Sequence, residues 1–547
     1  MFKGIISIPK LYIRRDTNRW SIFTLIIVCF VAIPVITIAI KLLMGPGESW
    51  GHIVDNVLLD YSLNTLFLSV GCIILTGFFG ISAAWIVSRY NIPLGKTLEW
   101  MLILPLAMPS YITAYAYAGL FDYGGTFQYI LESIGLPAAK LNVMNIYGLI
   151  VVLSVSLFPY VYVSARAVFL YQSNRLIEAS KMLGAGETKT FFTIILPIAR
   201  PAIVGGLILV IMEVLNDYGA AKYYGVSTFT TGIFRSWFSL AEPATAVFLS
   251  ALLLLVVFLL LYFESKQRGN KGYATLTKSA VQLPKLKVSK RRAFFLSSIA
   301  SIPVILGFMI PVGQLCYWAV LTYAEVLNAS FFKIALQSLG IAVITGVITV
   351  FFALLILYIP KWNRLKILKK SSRIAILGYA IPGAVIAIGI MIPTLALDKW
   401  LIKMSSHLFN IELGLLINGT IFILIYAYVI RFMAVAFNPL KGSSIKISEG
   451  LAESSQLLGA GKLKTFLKIE LPLLKTGLFS AFILVFVDAM KELPLTLILK
   501  PYDVNTLAVK AYEFASDELI LESSIPSLFI IATGVIPIIV LNRLILK

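Results

Sequence analysis

The residues best placed to do chemistry are four acids in apolar surroundings: Glu213 with Asp217, and Asp488 with Glu492. Each pair is spaced i and i+4, which on a helix puts both carboxylates on one face, about 6 Å apart along the axis. The first pair maps onto the second at an offset of 275 residues. An acid at the centre of a membrane helix costs on the order of 2.5–3.5 kcal/mol, so such residues usually face a pathway or a partner. Together they read as an acidic ring at the outer mouth of a path for a cation, with Asp217 and Glu492 nearer water than Glu213 and Asp488. The competing reading is interfacial ion pairing, with Lys491 as the partner.

Catalytic machinery is not evident elsewhere. The two histidines, His52 and His407, lack ligand spacing, and the three cysteines, Cys29, Cys72 and Cys316, lie far apart in apolar runs. No metal site or disulfide is therefore assigned. A P-loop, a nucleophile elbow and HExxH are all absent, so the chain is expected to carry no cofactor of its own and not to be an enzyme.

The elements that must position the acids follow a segment that occurs twice. Residues 178–197 and 453–472 align without a gap at the same offset of 275, with twelve of twenty positions identical. Both carry a leading acid, Glu178 or Glu453, then Leu-Gly-Ala-Gly, Lys-Thr-Phe and a closing Leu-Pro. Gly184 and Gly459 suit the left-handed position that ends a helix. Glu178 and Glu453 are expected to begin the short helices, where a carboxylate is favoured by about 0.3–1 kcal/mol. Pro197 and Pro472 fit the first turn of the following span, where no donor is needed. Each copy then forms a helical knob beside a membrane span, placed to meet a soluble partner.

Composition supplies the frame. Apolar residues make up 59% of the chain and charged ones 13%, with a mean hydropathy of +0.91, which excludes an ordinary soluble domain. Twelve stretches are long enough to span as helices, near 21–43, 62–87, 100–119, 146–170, 196–216, 243–264, 294–319, 334–359, 374–396, 412–437, 471–490 and 523–542. The fold class is therefore all-α membrane protein. Lys3, Lys10, Arg14, Arg15 and Arg19 precede the first span, whereas 45–61 has no Lys or Arg, so both termini are expected in the cytoplasm. Arg166, Arg200, Arg431 and Lys475 fall near inner span ends. The net charge of +20 is spread along one membrane face without a DNA-reading motif, so lipid rather than nucleic acid is the expected partner.

Residues 265–292 hold nine Lys or Arg and no acid, and read as a flexible cytoplasmic linker between domains 1–264 and 293–547. The halves share span order: Leu63-Asn64-Thr65-Leu66 matches Leu336-Gln337-Ser338-Leu339, and Pro109 matches Pro382, at an offset of 273. This is a parallel duplication of six-span domains. Pro109 and Pro382, expected inside spans three and nine, are candidate gating kinks.

At Glu178-Ala179-Ser180, with Gly184 five residues after Ala179 and Ile-x-Leu-Pro beyond, the chain resembles the EAA-loop permeases of binding-protein-dependent ABC importers. The second copy, Glu453-Ser454-Ser455, has Ser where the motif has Ala. Residues 214–220 and 225–233, and later 490–497 and 506–509, resemble the fused two-domain iron(III) permeases of that MetI-like family. The resemblance implies that Glu178, Ala179, Gly184, Gly186 and Pro197, and Glu453, Ser454, Gly459, Gly461 and Pro472, belong to loops that couple to an ATPase. It implies two copies of a cytoplasmic ABC ATPase, which uses ATP and Mg, and a substrate-binding protein at the outer face of a bacterial inner membrane. Ferric iron is the implied cargo. Thiamine, polyamines or another small solute share the architecture, and an autonomous carrier or channel is the reading from a different class.

Overall fold

The computed structural model describes residues 19–137, 141–170, 180, 182–268, 285–362, 377–410 and 414–545. Twelve main helices follow in order: α1 Arg19–Leu43, α2 Leu58–Arg89, α3 Ser110–Phe121, α4 Ile146–Leu170, α5 Glu187–Asn216 and α6 Pro243–Arg268. Then come α7 Lys290–Val326, α8 Ala329–Trp362, α9 Gly383–Phe409, α10 Ile421–Ile445, α11 Lys475–Lys491 and α12 Ser524–Ile545. Each overlaps one expected span. Among the described residues nine are long and apolar enough to cross a membrane, α3 and α11 belong to bent pairs, and α12 contains a shorter apolar helix. No strand is present among these residues, only an isolated bridge from Tyr90 to Leu286.

Span three bends where Pro109 is the candidate kink, and span eleven bends where no kink is expected. The axis turns by 91° between Gly95–Ala107 and Ser110–Ser133, and by 72° between Lys462–Leu473 and Lys475–Lys491. Pro109 explains the first break, since it has no N–H to continue a helix and instead precedes the first residue of α3. Pro382 does the same for α9, after a 3₁₀ turn at Leu377–Ala380. Both prolines are thus helix starts, and Pro109 also lies at a sharp bend.

Pro197 and Pro472 stand in the first turn of the α-helical segments Leu196–Asn216 and Leu471–Leu473, with one feature the sequence does not announce. A wide π turn precedes each, at Phe191–Ile195 and Phe466–Glu470. Proline crowds the carbonyl one turn back, and the wider turn relieves that crowding. Pro197 then lies within continuous α5, whereas Pro472 sits in a three-residue helix ahead of the second break.

The helices group by contact into two units, residues 1–44 with 333–506, and residues 45–332 with 507–547. The grouping exchanges the leading helix of each sequence half and also moves the last: α1 groups with α8–α11, and α7 and α12 with α2–α6. In the first unit Gly389 of α9 meets Pro34 of α1, and Tyr426 donates to the carbonyl of Phe30 at 2.6 Å. In the second, Tyr117 of α3 donates to Leu306 of α7 at 2.6 Å.

Packing follows membrane rather than aqueous logic. On α2, Leu63, Leu66, Phe67, Val70, Ile74 and Phe78 form an exposed apolar face, while Thr65, Ser69, Cys72, Thr76, Gly80 and Ala84 are buried. With lipid outside, close approach through small residues holds helices together. A Cβ on Gly80 would come within 2.9 Å of the Tyr162 amide nitrogen and 3.0 Å of the Phe158 carbonyl of α4.

Candidate coupling loops and pathway residues

Both repeated loops fold alike where they are described. A helix ends, Gly184 or Gly459 takes φ of +77° or +84°, and the next residue bonds back five positions, Ala185 to Ser180 at 3.0 Å and Ala460 to Ser455 at 3.1 Å. These are Schellman closures, with Gly at the one position where a Cβ is costly. Gly186 and Gly461 have ordinary φ of −66° and −65° and serve as N-caps of the next turn. Glu178 and Ala179 lie outside the described residues. Glu453 is exposed, as is Ser454, but it does not start its helix, which runs Glu449–Leu457 with Ser448 as N-cap. The helix-terminus argument therefore fails for Glu453.

Two features of the loops are missed by the sequence reading. Ser180 is hydrogen-bonded to Thr190 at 2.7 Å, and Ser455 to Thr465 at 3.0 Å, both pairs buried. They pin each first helix to the second. Beside them, Met182 and Leu183 are 89% and 87% exposed, and Leu457 and Leu458 are 88% and 89% exposed. Two adjacent apolar side chains at the tip of a pinned turn, repeated at the same offset, form a surface awaiting a cover. The available signal was an apolar pair just before Gly-Ala-Gly in each copy.

The first loop carries a further tie. Glu187 accepts from the Tyr90 hydroxyl at 3.1 Å and lies 3.6 Å from Arg292. Leu286 bridges Arg89 and Asn91, and Lys285 and Arg166 both pair with Glu99, at 2.8 and 2.6 Å. The expected linker is thus ordered at both ends: α6 runs to Arg268, and 285–292 lie against the first loop's neighbourhood. Tyr90 sits above the ordinary tyrosine range, because burial and then the Glu187 carboxylate disfavour its phenolate.

The acids divide differently than expected. Asp217 and Glu492 are buried rather than nearer water, because α5 and α11 end there and the chain turns back. Asp217 accepts from the amides of Ala220 and Ala221 at 3.0 and 3.1 Å, and from Ser110 Oγ at 2.5 Å. Glu492 accepts from Leu495 N at 3.3 Å and from Arg431 Nε at 2.9 Å, while Arg431 Nη1 donates to the Ile381 carbonyl at 2.7 Å. Ser110 follows Pro109, and Ile381 precedes Pro382. In each half, then, the acid latches the end of the helix after the loop to a proline-marked helix start.

Arg431 is not at a span end but mid-way along α10, and both it and Glu492 are buried, at 4% and 6% exposure. A lone basic residue deep in an apolar run was the signal for such a partner. Glu213 and Asp488 remain half-buried. Tyr160 donates to Glu213 at 3.4 Å, and Lys491 pairs with Asp488 at 2.9 Å, as the ion-pairing reading allows. Among the described residues, no group of three or more His, Cys, Asp or Glu could hold a metal ion.

Comparison with known proteins gives a consistent pattern. The family described as "Binding-protein-dependent transport system inner membrane component" matches residues 76–268 and again 363–547. The Fe(3+)-transport system permease protein FbpB 2 of Haemophilus influenzae is 27% identical over 88% of this chain and 89% of its own length. The putative ferric transport system permease protein FbpB 1 of the same organism is 22% identical over 89% of this chain and 78% of itself. The sulfate transport system permease protein CysT of Escherichia coli is 26% identical over 37% of this chain and 72% of itself.

Proposed function

Since this chain belongs to the family of binding-protein-dependent transport system inner membrane components, matched twice along its length, we propose that it is the transmembrane permease subunit of an ATP-driven importer, with both permease domains on one polypeptide. The observation that carries this reading is the pair of pinned loops with exposed apolar tips. Each suits a cleft on one copy of a cytoplasmic ATPase, so that two copies bind one chain. ATP and Mg belong to that partner, and a substrate-binding protein delivers cargo from the opposite face of a bacterial inner membrane. The termini then lie in the cytoplasm.

ATP-driven closure of the ATPase pair moves the loops, and each loop is continuous with, or one turn from, the helix whose far end is latched to a helix start. Movement at the cytoplasmic surface therefore reaches the proline-marked helix starts through a short path of backbone and one acid, with Arg431 as a further link in the second half. Ferric iron is the cargo best supported, because the ferric permeases named above share nearly the full length, whereas the sulfate permease aligns with about a third of the chain. Glu213 and Asp488, half-buried beyond the loops, are the residues proposed to favour a cation.

The test is uptake of radioactive iron and of radioactive sulfate by cells expressing the chain with its neighbouring ATPase and binding protein. ATP-dependent iron uptake is expected. Uptake by the chain alone in liposomes, without any ATPase, would overturn the importer reading, and sulfate uptake in place of iron would overturn the cargo.

A further inference from the structure

Within the unit formed by residues 45–332 and 507–547, an open cleft of about 340 Å³ lies at the Tyr61 end of α2, opposite the end that carries Arg89 and the first loop, with Lys222, Ser227, Arg235 and Ser239 exposed along it. Its wall presents two cations, Lys222 and Arg235, with Tyr61, Tyr218, Ser227 and Ser239, and it contains no carboxylate. Neither cation has an ion-pair partner among the described residues. Two exposed positive charges lining one cleft without a counter-charge favour an anion there, more strongly at low salt.

The wall is held in place. Asn64 Nδ2 donates to the Ser227 carbonyl at 3.0 Å, and Thr65 Oγ1 accepts from the Phe229 amide at 3.2 Å, fixing the 225–229 turn against α2. Tyr218 stacks on Phe234 at 3.7 Å between ring centroids, and its oxygen accepts from Tyr512 at 3.3 Å, which leaves its own proton to donate. The other sequence half does not repeat the set. At the 275 offset Lys222 becomes Leu497, Ser227 becomes Tyr502, and Arg235 becomes Lys510, 3.9 Å from Glu513.

The geometry points to a binding site for a small oxyanion of the phosphate class, held by Lys222 and Arg235 and by hydroxyl donors of the wall. Arginine offers a planar fork to such an ion and lysine a point charge, a pairing suited to a compact anion and repellent to a bare cation. The site stands on this unit's geometry and holds whether or not iron is the cargo.

The full chain is reconstituted in phosphatidylcholine nanodiscs, without ATPase or iron, and binding of radiolabelled inorganic phosphate is measured at 150 mM salt. Saturable binding near one per chain is expected, at least tenfold weaker in Lys222→Gln and in Arg235→Gln, retained in Lys222→Arg, and unaffected by Lys500→Gln. Thermal unfolding of each variant confirms that the fold is kept. Absence of saturable binding to the parent chain, or equal binding by the Gln variants, overturns the site. Native mass spectrometry separates the lipid alternative: anionic phospholipid retained by the parent chain and lost from both Gln variants, without saturable phosphate, also overturns a soluble-ion site.

Discussion

Gly459 and Gly461 stand two residues apart in one loop, yet only the first needs to be glycine. A β-branched side chain at φ +84° is strained by about 1–3 kcal/mol, whereas a methyl group at Gly461 meets nothing within 4 Å. Gly459→Val is therefore expected to reduce ATPase co-purification and uptake without loss of membrane insertion, and Gly461→Ala to leave both unchanged. Equal defects in the two variants would show that backbone geometry is not what the loop requires. Glu213 and Asp488 allow a second test: Glu213→Gln with Asp488→Asn is expected to lower iron uptake while the amount of bound ATPase stays constant, and unchanged uptake would remove them from the cation's path. At this scale the sequence was readable where a single position decides the outcome, as with the left-handed glycines. It was not readable where two distant residues decide it: Arg431 and Glu492 are 61 positions apart, and nothing in either's neighbourhood names the other.

Helices are legible from length and hydropathy, so all twelve segments could be placed. Their breaks were harder to see, because proline is tolerated within membrane helices and does not itself say whether a helix bends, starts or ends. The structure resolves this at Pro109 and Pro382, where the preceding 3₁₀ turns and the following helices leave proline as a starting residue. The latches to these starts differ in strength. Removing one member of a buried ion pair costs about 3–5 kcal/mol because the other charge is left unpaired. Arg431→Gln should thus lower the thermal unfolding temperature in detergent markedly. Asp217→Asn should cost nearer 1 kcal/mol, since its oxygen can still accept from the Ala220 and Ala221 amides. A larger loss from Asp217→Asn than from Arg431→Gln would show that burial of charge is not what governs these latches.

For the molecule as a whole, sequence gave the duplication and the order of its parts but not the exchange of leading helices, which depends on packing between segments hundreds of residues apart. The two loops predict a stoichiometry: Met182→Ser with Leu183→Ser, or Leu457→Ser with Leu458→Ser, should each leave one ATPase copy per chain by native mass spectrometry, and all four changes none. Two copies retained by the fourfold variant would rule out the apolar tips as the docking surface. The ordered segment at 285–292 has a different consequence, for how the gene can be divided. Leu286, Lys285 and Arg292 recognise Asn91, Glu99 and Glu187 across the junction, so a polypeptide beginning near residue 277 carries its own address for the first half. Two messages split there should reconstitute an active transporter when co-expressed, because α7 packs with α2–α6 and α1 with α8–α11, while a split at 293 forfeits the added ties of 285–292 and should reassemble in lower yield; the continuous chain is in that sense a convenience of synthesis, and the junction's far end sets how well two pieces rejoin.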